Sequence, residues 1–303
     1  SQQKTTMQVV EPGPAGACQL GFNEYDQLAR VAVREPRAAF KSEERIERDW
    51  LRLRFHERPH LEKAVREHDV FRQILIGHGA EVFILSGDEN LTLDSIYPRD
   101  ALLVSPAGLI RCNMSRVSRQ HEPSVNALEL DIGVAGEILA PGTIEGGDLI
   151  WLDSNSIAVG LGPRTNQAGI DQLHYIVGEA VEIQVVPLPA PDHPEDVFHP
   201  MSMVSPLDKD LALIYRPLMP SGFVDWLEGK VITFVEVPED EFLPMGCNVL
   251  ATGPRRVVML DRLPITRSRL EAAGCDVTPY KGDEISRKAE GGPTCLTRPL
   301  LRV

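Results

Sequence analysis

The stretch "DLIWLDSNSIAVGL", residues 148–161, reads as a hairpin. Two runs of apolar residues flank a polar turn at Asp153–Ser156. Asp, Ser and Asn suit turns because their short side chains bond their own backbone. The continuation of the chain past this hairpin decides the fold. Residues 164–178 carry apolar residues at helical spacing, and "VEIQVVPL" (181–188) is a third apolar run. The succession then returns. "MSMVSPLDKDLALIY" (201–215) turns at Leu207–Asp210 and is followed by a helical segment, 219–228, and by "VITFVEV" (231–237). "NVLATGPRRVVML" (248–260) turns at Gly253–Arg255 and leads to a helical segment, 264–273, and "CDVTPY" (275–280). A fourth hairpin, "ALLVSPAGLIRCNM" (101–114), turns at Pro106–Gly108.

The recurring unit is hairpin, helix, strand, repeated about every 50 residues. One such unit cannot bury both faces of its own sheet, so the units are expected to pack around an axis. "RVAVREP" (30–36) and "TCLTRPLLRV" (294–303) would pair to close the ring. The expected fold is therefore α/β with propeller-like repetition in one catalytic domain over residues 1–303, with residues 1–25 an irregular lead-in. An ordinary mixed sandwich is the alternative. Residues 43–79 read as mostly helical and "AEVFIL" (80–85) as a strand. In a closed ring the loops at one end converge on the axis, and a site is expected there.

Composition narrows the function. The chain is 43% apolar and 25% charged, ordinary for a globular core, and its formal net charge is −13. Nucleic acid and anionic lipid both want a basic surface, so neither is an expected partner. No run approaches the length of a membrane span. The first residues carry no signal-peptide pattern, and five cysteines without CxxC spacing form neither a disulfide framework nor a zinc cluster. Reduced thiols and a cytoplasmic location are expected, with a small molecule as partner. The histidines lack ligand spacing and no phosphate-cradling glycine loop is present, so neither a metal nor a cofactor is expected.

Chemistry-bearing residues collect at the junctions between elements. They are Asp94 and Asp100 in "LTLDSIYPRD", Arg116, Arg119 and His121 in "SRVSRQHE", Glu145 in "IEGGDLIW", Arg164 in "GPRTNQAGI", His199 in "DVFHPMSM" and Cys295 in "EGGPTCLTRP". Each alone has a bland reading as a turn, surface or core residue. A cysteine, a histidine and a carboxylate together are what nucleophilic catalysis needs. The thiolate attacks, the imidazole moves protons, and the carboxylate orients the imidazole.

These segments, in this order, resemble the guanidino-group modifying (amidinotransferase) superfamily, and most closely its dimethylargininases. The resemblance rests on "DSIYPRD", "EGGD", "RTNQAG", the single His199, "CNVL" and "GGPTCLTRPLLR", and runs from about Asp94 to Arg302. It implies a five-bladed α/β propeller of ββαβ units and a hydrolase that cleaves a guanidino C–N bond of an arginine derivative without a cofactor. By the resemblance, Cys295 is the nucleophile that forms an amidino-cysteine intermediate, His199 the general acid and then base, and Glu145 the acid that holds the guanidinium and assists the histidine. Asp100 would be a second guanidinium-binding carboxylate and Asp94 the acceptor of the α-amino group. Arg119 and Arg164 would take the α-carboxylate. Two positions depart from the family pattern. Arg99 stands where dimethylargininases carry an acid, with Glu290 a candidate substitute. Met201 stands where deiminases and amidinotransferases carry an aspartate, which points away from those branches. Transfer to an amine acceptor, deimination and non-catalytic arginine binding remain the alternatives. The oligomeric state stays open, a homodimer included.

Overall fold

The computed structural model describes residues 22–190 and 198–303. Most of the expected lead-in, residues 1–21, lies outside the described residues, as do Asp196 and Val197. The described chain forms five three-stranded sheets. Four follow one plan. Leu102–Ser105, Leu149–Asp153, Val204–Asp208 and Leu250–Gly253 each pair antiparallel with the strand after the turn, namely Gly108–Arg111, Ser156–Leu161, Leu211–Ile214 and Arg256–Leu260. A helix follows, and the chain returns as a third strand parallel to the second: Val134–Glu137, Glu182–Pro187, Thr233–Glu236 and Asp276–Tyr280. A parallel return needs such a crossover. The fifth sheet is made from distant parts of the chain. Arg298–Arg302 pairs antiparallel with Leu28–Arg34, which pairs in parallel with Glu81–Leu85 after the helices at Glu43–Asp49 and Leu61–Gly77.

Burial explains why the hairpins read as continuous apolar runs. Their strands are buried on both faces: Leu211–Ile214 and Leu250–Gly253 are buried throughout. The third strands are only partly covered, as Glu182–Pro187 shows. First strands of neighbouring sheets pack on one another, Val204–Asp208 on Leu250–Gly253 and Arg298–Arg302 on Leu102–Ser105. They therefore line the axis, and the third strands and helices form the rim. One crossover escaped the sequence pattern. After the hairpin of residues 102–111 the chain forms a helix at Glu122–Glu129 and a strand at Val134–Glu137. The helix is short, and the strand's "VAGE" is largely exposed, so neither carries a clear apolar period.

Candidate active site

The loop that runs into the first strand of each sheet carries a chemistry-bearing residue. Asp100 precedes Leu102, Glu145 precedes Leu149, His199 precedes Val204, and Cys295 precedes Arg298. The corresponding position before Leu250 holds Asn248. Ring closure thus gathers residues that are far apart in sequence.

Asp100, Glu145 and His199 offer side-chain oxygen and nitrogen atoms that all lie within 4.8 Å of one another. His199 Nε2 donates to Glu145 Oε2 at 2.8 Å, and both side chains are buried. The Gly147 N–H donates to Asp100 Oδ1 at 3.0 Å. Gly147 has to be glycine: a Cβ there would stand 2.6 Å from Asp100 Oδ1 and 2.7 Å from His199 Nδ1. Thr165, from the "RTN" segment, joins the two ends of "EGGD". Its hydroxyl accepts the Glu145 N–H and donates to Asp148 Oδ2 at 2.6 Å. The next residue, Asn166, caps the following helix by accepting the Gly169 N–H.

Asp148, which closes the "EGGD" motif and was not among the expected site residues, lies beside the cluster. It is fully buried, and its Oδ1 has no hydrogen-bond partner among the described residues. Burial is the main cause that lifts its carboxyl to about 7, while the charge of His199 works to lower it. Burial alone would push His199 down. The nearby Asp148 and Asp100 charges and the Glu145 hydrogen bond outweigh burial and lift the imidazole to about 10. The Ser202 N–H, aimed at the ring by the turn of Pro200–Ser202, works against a second ring proton, and three carboxylates work for it. The carboxylates around it favour the protonated form of His199, the form that can donate.

The sign of the linkage is fixed by these directions. The folded protein keeps the His199 proton up to about pH 10, whereas the unfolded chain releases it near 6.5. The stabilisation it gives is complete below pH 6.5 and is lost as pH rises towards 10. Asp148→Asn removes the largest charge that raises His199. The variant is expected to lose stability less steeply between pH 7 and 10, and the alkaline limb of its kcat/KM profile should move down by at least about one pH unit. Thermal melts and rate profiles across that range check both.

Arg119, which the resemblance would give to the α-carboxylate, pairs with acids of the protein. Its guanidinium is buried and spent on the protein. Nε and Nη2 donate to the Glu122 carboxylate at 2.7 and 2.8 Å, Nη1 donates to Asp100 Oδ2 at 2.8 Å, and Nη2 also donates to the carbonyls of Tyr97 and Asp94. A side chain so engaged fixes Asp100, and four of its five N–H groups are directed at acceptors of the protein. Removing one partner of a buried ion pair costs about 3–5 kcal/mol, because the charge left behind is uncompensated. Arg119→Met is accordingly expected to lower Tm by at least about 5 °C, an effect on folding that a ligand-only contact would not produce.

Arg116, from the same segment, faces the site instead. Its Nη1 lies 3.8 Å from Asp94 Oδ2, and the neighbouring charge of Arg164 depresses its basicity further after burial has done so. Arg164 is buried and donates to Ser115 Oγ at 3.4 Å. Asp94 is buried as well, and burial raises its carboxyl against the pull of Arg119 and Arg116. One acid and two guanidinium groups thus adjoin the Asp100–Glu145–His199 cluster.

Arg99 turns away from that cluster. Its side chain is buried, donates to the Thr294 carbonyl at 2.9 Å and to Glu24 Oε2 at 3.3 Å, and its own N–H donates to the Cys295 carbonyl. The departure from the family pattern is thereby given a structural role: Arg99 ties the cysteine loop to the segment that presents Asp100. Glu290 pairs with His56 at 3.0 Å on a half-exposed surface and does not replace the missing acid.

Four cysteines fall among the described residues; Cys112, Cys247 and Cys275 are buried, and Cys295 is half-buried. Burial pushes the thiols of Cys112, Cys247 and Cys275 up, which keeps them protonated. A hollow of about 560 Å³ on the rim, lined by Gln167, His174 and Tyr175 among others, contains none of these groups.

A ring of five α/β sheets with a half-buried cysteine, a buried histidine and a set of buried carboxylates on its axial loops defines a propeller-type α/β fold with a candidate active site. The family model described as N,N dimethylarginine dimethylhydrolase, eukaryotic, matches residues 37–302, and the chain belongs to that family. The N(G),N(G)-dimethylarginine dimethylaminohydrolase of Streptomyces coelicolor is 28% identical over 238 residues, covering 77% of this chain and 84% of the relative. Protein YkgA of Bacillus subtilis is also 28% identical, over 244 residues, 80% of this chain and 82% of its own. Among solved structures, a cysteine-to-serine variant of DDAH from Pseudomonas aeruginosa in complex with citrulline superposes with a TM-score of 0.70 at 23% identity, over 91% of this chain and 99% of that one. Among the described residues no helix is long and apolar enough to cross a membrane.

Proposed function

We propose that this chain hydrolyses a guanidino C–N bond of an N-substituted arginine or a close relative, through an amidino-Cys295 intermediate. The observation that carries the reading is the buried Glu145–His199 hydrogen bond inside a carboxylate cluster, in a ring whose axial loops also carry the one half-buried cysteine among the described residues. Asp100, Glu145 and Asp148 supply the negative field that receives a guanidinium. Asp94 accepts the substrate's ammonium, and Arg116 and Arg164 pair with its carboxylate. Arg116 thereby takes the role the resemblance gave to Arg119.

The Cys295 thiolate adds its electron pair to the guanidinium carbon, forming the S–C bond. As the tetrahedral adduct collapses, the C–N bond breaks and the leaving nitrogen takes a proton from His199 Nε2. The incoming guanidinium charge opposes the imidazolium, which makes His199 a better acid once substrate is bound. His199, now neutral, takes a proton from water. The hydroxyl adds to the amidino carbon, the C–S bond breaks, the thiolate leaves with its electron pair, and the hydroxyl proton passes through solvent to the released amine, leaving the ureido carbonyl. The products are an amine and a ureido compound. Glu145 orients the imidazole through the Nε2 hydrogen bond while that nitrogen carries its proton, before the first transfer and again after water has given one up.

The test is acid-quenched mass spectrometry of the intact protein after mixing with arginine, N-methylated arginines, N-hydroxyarginine and agmatine. An amidine-sized adduct on Cys295 with an arginine derivative is expected. Agmatine has no carboxylate for the two arginines, and its kcat/KM should be lower by at least about 100-fold. Turnover without any adduct would overturn the covalent route. Neither turnover nor adduct across the panel would overturn the assignment to guanidino hydrolysis.

A further inference from the structure

Four of the five sheets present an ionisable group at the approach to their axial strand, and the fifth presents Asn248. We propose that Asn248 is a catalytic residue that donates a hydrogen bond to the Cys295 sulfur and stabilises its thiolate form. The inference rests on the reading of Cys295 as nucleophile and deepens it.

The orientation of the amide is set by its other half. Asn248 Oδ1 accepts two hydrogen bonds from Thr294, from the backbone N–H at 3.1 Å and from the hydroxyl at 2.8 Å. Both are donors, so the atom facing them has to be the oxygen, and the NH2 group is turned the other way. There Nδ2 meets Cys295 Sγ at 3.6 Å, within the longer range of hydrogen bonds to sulfur. The Thr294 hydroxyl is 3.9 Å from the same sulfur, but its proton goes to Asn248 Oδ1. Asn248 itself is 6% exposed, so its donor works in a largely desolvated place. The glycine before Pro293 makes the contact possible, because a Cβ on Gly292 would collide with the Asn248 side chain. Arg99 fastens the loop from the other side through the Thr294 and Cys295 carbonyls.

A neutral donor fits the task better than a cation. The substrate brings a positive charge to the sulfur, and a fixed cation beside it would repel that charge. An amide stabilises the thiolate before attack and again when the C–S bond breaks and the thiolate leaves. It does so without changing the charge of the pocket.

Asn248→Asp and Asn248→Ala separate this role from loop positioning. The aspartate keeps the oxygen that Thr294 needs and loses the donor, adding a negative charge beside the sulfur. The alanine loses both. The rate of Cys295 alkylation by iodoacetamide is read by intact mass between pH 5 and 10, in the absence of any guanidino compound. Asn248→Asp is expected to slow alkylation at pH 7 by at least 10-fold, and to displace the pH profile upward by at least one unit. Asn248→Ala should slow it several-fold. A wild-type profile for Asn248→Asp, or rescue of a slow alanine variant by the aspartate, overturns the proposal and leaves Asn248 a loop anchor. If both variants fail to fold, Thr294→Val serves. It removes one of the two bonds that aim the amide, and it should move the profile in the same direction; an unmoved profile overturns the proposal. Alkylation reports on the thiol whatever the substrate. A guanidino panel without adducts therefore sinks the hydrolase reading alone, and an unmoved pH profile sinks this one alone.

Discussion

Cys295→Ser is expected to abolish turnover, by on the order of 10⁴-fold or more, while the substrate still binds. Serine keeps the size and the approach but offers an alcohol whose anion is scarcely formed at neutral pH. The carboxylates and the Asp94–Arg116–Arg164 group are untouched, so the Kd for a substrate should stay within a few-fold of wild type. Two measurements together make the case: calorimetric binding that persists, and loss of both product and acid-stable adduct. Retained turnover in the serine variant would mean that water attacks the guanidinium directly. Loss of binding together with turnover would mean that the substitution disturbed the pocket rather than the chemistry.

His199→Gln should follow, with a fall of about 10²–10⁴ in kcat, the range that general acid–base groups contribute. Glutamine can still donate to Glu145, so the 2.8 Å contact has a substitute and folding should hold. What is lost is the proton on Nε2 and the base that later receives one from water. The step most affected depends on the leaving group. With a poor leaving amine the first step fails and no adduct forms. With a thiol leaving group, as in S-methylthiocitrulline, departure needs no proton, so adduct should form and then persist because no base activates water. The same variant should lose the alkaline limb of the rate profile that His199 sets near pH 10. An unchanged alkaline limb would assign that ionisation to another group.

The propeller was legible because its repeats are written in local chemistry. Each hairpin turn, such as Asp153–Ser156, is a run of turn-forming residues between apolar strands, and the observed strands meet there. Where the local signal was thin, at Glu122–Glu129 and "VAGE", the crossover went unread. Cys295, His199 and Glu145 stood out because ionisable residues beside glycine or at a strand end have little structural reason to be there. The choice between Arg116 and Arg119 was not readable in the same way. The two residues are of one type, three apart on one segment, and which guanidinium faces a ligand depends on where Glu122 falls. That acid, three residues after Arg119 at the start of a helix, was the available signal. Asp148 and Asn248 lay inside recognisable motifs, yet their parts depend on depth of burial and on a neighbour 47 residues away. Arg99 stood out as a missing acid, and its tie to the cysteine loop was not readable because the partners lie near Thr294, 195 residues away.

The strand that carries the chain away from Cys295, Arg298–Arg302, finds its partner in Leu28–Arg34. The Cys295 sulfur is thus displayed by the clasp of the ring, the pairing with the widest separation along the chain among the described residues. Contacts of that kind are slow to form, because a long loop must close before they reward the closure. A chain with four sheets folded and the clasp open would hold the histidine and the acids but leave the sulfur unplaced. Catalysis then doubles as a gauge of completed assembly: in a refolding time course, activity should appear with clasp formation, after most helical signal has returned. In mild denaturant it should vanish before the rest of the ring gives way.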